Sequence, residues 1–98
     1  MDFKISKGYK ELIKEANSEI KTISVREAIS LHKNDAYEFI DLRDFREIQR
    51  FGKIEGSFSC PRGMLEFWID PESPYHKEIF STGKSLIFYC ASAWRSAL

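Results

Sequence analysis

The 98-residue sequence has no excess of charge of either sign: 15 lysine and arginine side chains balance 15 aspartates and glutamates, and like charges form no block. That removes the electrostatic footprint a nucleic-acid binder needs. No apolar run approaches the ~18 residues of a membrane-spanning helix, and Met1, Asp2, Phe3 and Lys4 lack the charged-then-apolar layout of a secretory leader. Neither nucleic acid nor membrane is an expected partner, and the expected location is the cytoplasm. Cysteine is scarce, with Cys60 and Cys90 alone, and a two-cysteine chain without a leader points to free thiols rather than a structural staple. There is no repeat, low-complexity stretch or interdomain linker. What the chain does have is 43% hydrophobic and 14% aromatic residues, enough for the core of the one domain its length allows.

Periodicity orders the elements. Tyr9, Leu12, Ile13, Ala16 and Ile20 fall at helical spacing with charged residues between them, an amphipathic helix within an N-terminal segment, residues 1–19. Ile20 to Ile23 reads as a short strand, and Ser24 with Glu27 as a capping box opening a helix to about Lys33. Tyr37 to Asp41 is a β-rich run, followed by a helix around Phe45 to Arg50 that Gly52 stops. Gly56 to Cys60 suggests a strand, Met64 to Ile69 a helix turn, and Tyr75 to Phe80 a helix after the loop punctuated by Pro71 and Pro74. Ser85 to Tyr89 is a continuous apolar strand. Alternating strands and helices predict an α/β fold, with a mostly parallel central sheet flanked by helices and ligands beyond the C-terminal strand ends. Asp41 and Cys90 stand at two such ends.

The segment from Leu86 to Ser96 carries the most chemistry. It sets Cys90 between a buried-strand pattern and a helix start, where the backbone N–H groups of Ala91, Ser92, Ala93, Trp94, Arg95 and Ser96 can turn toward the sulfur. Those amides, the positive end of a helix and the Arg95 charge would draw the thiol down from about 8.5 into the ~3.5–7.5 range of activated cysteines. A lone cysteine at a strand end is more often simply buried. The small-residue loop and the arginine five positions on favour the activated thiol.

The chain resembles a rhodanese-like domain, whose active loop runs from a nucleophilic cysteine through four residues to an arginine, as Cys90 to Arg95 does. The resemblance extends through Asp41 to Glu47, Gly52 to Ser57, Pro61 to Trp68 and Asp70 to Tyr75, and covers residues 20–98. It implies the three-layer rhodanese-like fold and a single-domain sulfurtransferase. In such an enzyme Cys90 takes a sulfane sulfur from thiosulfate or a persulfide, holds it as a persulfide, and passes it to a protein or small-thiol acceptor. The loop amides would stabilise the terminal sulfur, with their side chains secondary. Related phosphatases place five residues between the cysteine and the arginine, so four argue for sulfur over phosphate. The chain stops three residues after Arg95, so the resemblance also implies that the C-terminal portion of the domain is missing, and that exposed strand edges would favour a homodimer. The other reading is a non-catalytic or partner-dependent module that docks a protein or carries sulfur for it.

Several residues keep two readings. Arg95 either pairs with an anionic donor or braces the loop through a carboxylate. Asp41, Arg43 and Glu47 are expected as scaffold, with Arg43 and Glu47 an i, i+4 pair. Ala93 stands where the family often has glycine, a costly exchange if the position needs positive φ. Trp94 walls the pocket mouth or packs against a further segment. Cys60 is either a resolving thiol or a small buried hydrophobe. The Met64 to Trp68 stretch is a partner surface or part of the core. Lys53 stands where the family commonly has histidine, and neither His32 nor His76 has a partner at ligand spacing, so no metal and no cofactor are expected.

Overall fold

The structure, a computed structural model, describes residues 6–98; the Met1 to Lys4 stretch and the start of the N-terminal segment lie outside them. Helix α1 (Tyr9–Glu19) and helix α2 (Val25–Leu31) precede strand β1 (Tyr37–Asp41) and helix α3 (Phe45–Phe51). Strand β2 (Phe58–Ser59) leads through a 3-10 turn, Arg62–Met64, into helix α4 (Leu65–Ile69). A second 3-10 turn, Glu78–Ser81, precedes strand β3 (Ser85–Tyr89) and helix α5 (Trp94–Ala97). The strands form one parallel sheet in the order β2-β1-β3, so the central strand is also the most buried.

Alternation along β1 decides what each face holds. Ile40 and Leu42, 0% and 1% exposed, join Cys60 in a core covered by Phe58, Leu65, Trp68, Phe80, Leu86 and Phe88. Burying each of the two aliphatic side chains contributes about 1.5–3 kcal/mol. The Phe58 ring packs edge-on against Trp68 and Phe80, at 6.1 and 6.0 Å between centroids. Met64 to Trp68, read as either partner surface or core, therefore divides: Leu65 and Trp68 face inward while Phe67 is exposed. The opposite face of β1 carries Phe39, met edge-on by His32 after α2, and the carboxylate of Asp41. Along the free edge of β3 runs an open apolar groove of about 1300 Å³, lined by Ile23, Ile29, Leu86 and Phe88 and reaching Cys90.

Helix α3 follows from four residues. Asp44 accepts from the amides of Arg46 and Glu47 at 2.9 and 3.1 Å, while Glu47 reaches back to the Asp44 N–H at 3.3 Å. Both partners of this capping box are satisfied. Gly52, at φ 76°, ends the helix in a conformation that costs other residues steric strain.

The structure corrects several element expectations. Ile20 to Ile23 is not a strand: Ile20 is extended, but among the described residues no strand pairs with it. Helix α2 stops at Leu31 rather than Lys33, because His32 leaves helical geometry and Lys33 takes φ 71°. Only Phe58–Ser59 of the Gly56 to Cys60 run is strand: the Ser57 N–H closes a turn onto the Ile54 carbonyl before it, and after the Cys60 N–H bonds the Asp41 carbonyl, Pro61 brings no donor. Tyr75 to Phe80 is not a continuous helix. The Lys77 N–H is taken by the Trp68 carbonyl at 2.9 Å, and helical geometry begins at Glu78.

Candidate active site

The C-terminal end of β3 brings Cys90 to the rim of the sheet. The Tyr89 carbonyl still accepts from Leu42 N–H at 3.0 Å, so the strand is fixed up to the residue before the cysteine. The chain then turns through Ala91, Ser92 and Ala93 and enters α5. Ala93 occupies the left-handed region at φ 66° and ψ 9°, the strained conformation that its exchange for glycine threatened. Within this turn Cys90 Sγ lies 3.6 Å from Ser96 Oγ. Burial acts to raise the thiol pKa, but the Ser96 hydroxyl and the amides of Ser96, Ser92 and Arg95 outweigh it and hold the thiol below its ordinary value. Of the six amides expected to serve the sulfur, those of Ser92, Arg95 and Ser96 act to lower its pKa. Ser96 acts through its side chain as well, contrary to the expectation that the loop side chains are secondary. Helix α5 is a single turn, so individual hydrogen bonds take the place of the expected helix dipole.

Arg95 is braced. Its two terminal nitrogens donate to the two Glu47 oxygens at 2.6 and 2.9 Å, the bidentate geometry in which guanidinium and carboxylate match best. This bond draws the Glu47 pKa down and the Arg95 pKa up. Glu47 Oε1 also serves the Asp44 amide, so one carboxylate caps α3 and anchors the loop. The expected Arg43–Glu47 pair does not form, because Arg43 precedes the cap and is not helical. Instead Arg43 Nε and Nη2 donate to Asp41 at 3.0 and 2.8 Å, and Nη2 reaches the Gly52 carbonyl at 2.7 Å. Asp41 is fully buried and also accepts from the Arg43 N–H at 3.0 Å and the Tyr89 hydroxyl at 2.9 Å. Its burial pushes the pKa up, yet these donors more than offset it and keep the carboxyl below the usual range.

Tyr89 was not singled out in the sequence. Its hydroxyl donates to Asp41 and accepts from the Ile54 N–H at 3.2 Å, and it lies 3.0 Å from Ser57 Oγ. The parallel register pairs Asp41 with Tyr89 and so sets them side by side on one face of the sheet, a pairing the sequence does not show. The Asp44-x-x-Glu47 capping pattern was readable.

Cys60 is buried, and burial pushes its thiol up to about 11. Its amide bonds the Asp41 carbonyl of β1, on the side away from β3, which places it two strand spacings from Cys90, about 10 Å. Disulfide bonding needs Cα atoms within about 7 Å, so the geometry does not bring the two thiols together and both are free. Among the described residues no cluster of histidine, cysteine, aspartate and glutamate could hold a metal, and no helix is long and apolar enough to cross a membrane.

The rhodanese-like domain family matches residues 24–98, from the cap of α2 through the Cys90 loop. This chain belongs to that family. A solved structure from Rhodopseudomonas palustris CGA009, described as a protein of unknown function and possible tyrosine phosphatase, is similar to this rhodanese-like chain at 55% identity and a TM-score of 0.95. The match covers 100% of this chain and 76% of that one. The comparison with curated proteins finds no match.

Proposed function

We propose that this rhodanese-like protein is a sulfurtransferase working through a persulfide on Cys90. The observation that carries the reading is the sulfur's setting: a thiol drawn below its ordinary pKa by the Ser96 hydroxyl and by loop amides, and separated by four residues from an arginine clamped by Glu47. Arg95, held at both terminal nitrogens by Glu47, braces the loop and presents its amide to the site. With thiosulfate as donor, the Cys90 thiolate attacks the sulfane sulfur. A sulfur–sulfur bond to Cys90 forms, the bond to the sulfite group breaks, and sulfite leaves with the electron pair. The terminal sulfur carries the negative charge, which amides already aimed at this site stabilise without reorganisation. A thiophilic acceptor then attacks the outer sulfur and returns Cys90 as thiolate.

Thiocyanate formation from thiosulfate and cyanide tests this. Activity is expected in the wild type and in Cys60→Ser, with none in Cys90→Ser. A second reading, phosphate-ester hydrolysis, draws on the description of the similar solved structure as a possible tyrosine phosphatase. The four-residue loop counts against it. Cys90-dependent turnover of an aryl phosphate, with no thiocyanate formed, would reverse the ranking.

A further inference from the structure

Helix α1 precedes the residues matched by the family, yet it touches the Cys90 loop. Tyr9, the first residue of α1, meets Trp94 with ring centroids 5.3 Å apart and planes inclined at 43°. Both rings remain about half exposed, Tyr9 at 55% and Trp94 at 52%, so the pair adds little to the core. It is part of the contact between α1 and α5. The similar solved structure superposes on the whole of this chain, α1 included.

Trp94 follows Ala93, the one loop residue in the left-handed region. A side chain at that φ crowds the following carbonyl, so Ala93 favours relaxing toward negative φ. Such relaxation would swing Trp94 outward and move the Arg95 and Ser96 amides away from the sulfur. Offset or tilted aromatic pairs are favourable beyond the area they bury, and this pair grips the residue next to the strain. We propose that Tyr9 is a positioning residue for the Cys90 loop: by holding the Trp94 ring it keeps Ala93 in its left-handed conformation and the loop amides on the sulfur. The inference rests on Cys90 being the reactive thiol.

The test is the rate of Cys90 alkylation by iodoacetamide as a function of pH, followed by intact mass on the full chain in a Cys60→Ser background. The charged groups around the sulfur are Arg95 of α5 and, behind it, Glu47 and Asp44 from the start of α3. Tyr9→Phe and Tyr9→Ala change none of them. Tyr9→Ala is expected to move the alkylation midpoint to higher pH and slow the reaction at neutral pH severalfold, while Tyr9→Phe matches the parent. Adding Ala93→Gly to Tyr9→Ala restores the parental profile, because glycine holds positive φ without help. Tyr9→Leu serves in place of Tyr9→Ala if the alanine variant does not fold. A ring-deleted variant that is folded by circular dichroism and has an unchanged profile overturns the proposal, as does a slowing that Ala93→Gly leaves in place. Alkylation reads the thiol whether or not sulfur is transferred. A Tyr9-dependent profile without persulfide would therefore defeat the sulfurtransferase reading alone, and persulfide with a Tyr9-independent profile would defeat this inference alone.

Discussion

Ser96 Oγ, 3.6 Å from Cys90 Sγ, can take the thiol proton as a hydrogen bond or donate its own hydrogen to the thiolate, and the second arrangement favours ionisation. Because the folded thiol lies below its ordinary pKa, Cys90 is expected to alkylate at a pH where free cysteine is still protonated. Ser96→Ala is predicted to raise the midpoint of that profile and slow alkylation at neutral pH by several-fold, the effect of one hydrogen bond worth ~1 kcal/mol. A pH titration of iodoacetamide reactivity checks it. At this scale the cysteine was legible from its strand-to-loop position and from Arg95. The side chain of Ser96 was not, because a hydroxyl six residues away reaches the sulfur only once Ala93 has turned the loop. Tyr89 was hidden for a related reason: a tyrosine in an apolar strand reads as core until the register shows a buried carboxylate beside it.

Helix α3 joins the sheet to the loop, since Glu47 caps its start and clamps Arg95 while the Gly52 carbonyl at its end accepts from Arg43. Asp44→Ala removes the cap of this helix and is predicted to cost about 1 kcal/mol, lowering the melting temperature by about 4–8 °C for a domain of this size. Glu47→Gln spares the fold more than the loop. It weakens the clamp on Arg95 and is expected to reduce thiocyanate formation severalfold, with a smaller loss in thermal stability; equal activity in the variant would show that the clamp is dispensable. The elements with long, consistent patterns, β1, β3 and α3, were readable in the sequence. Local propensity failed where tertiary partners decide. Ile20 and Ile23 are β-branched residues with no strand beside them, and the Tyr75 to Phe80 run yields its Lys77 amide to Trp68 instead of to a helix.

Across the whole molecule, two carboxylates tie the sheet to the site, and both titrate below their ordinary values. Asp41 is held there by Arg43 and Tyr89 against the effect of burial, and Glu47 by Arg95. A carboxylate with a depressed folded pKa contributes stability that is complete above its unfolded value, about 4, and is lost as pH falls through the folded value. The denaturant midpoint is therefore predicted to be level near neutral pH and to fall below about pH 4. Asp41→Asn leaves the partly buried Arg43 without its counter-charge and is expected to cost up to about 3 kcal/mol at neutral pH, while flattening the acid limb; urea titrations across pH read both effects. The central claim, that Cys90 carries sulfur, is met most directly by intact-mass spectrometry before and after thiosulfate, with Cys90→Ser alongside. A gain of one sulfur atom, about 32 Da for the covalent persulfide, is expected in the wild type and in Cys60→Ser and not in Cys90→Ser. Folded wild-type protein that gains no sulfur from either thiosulfate or a persulfide donor, or an adduct that survives in Cys90→Ser, would contradict the claim.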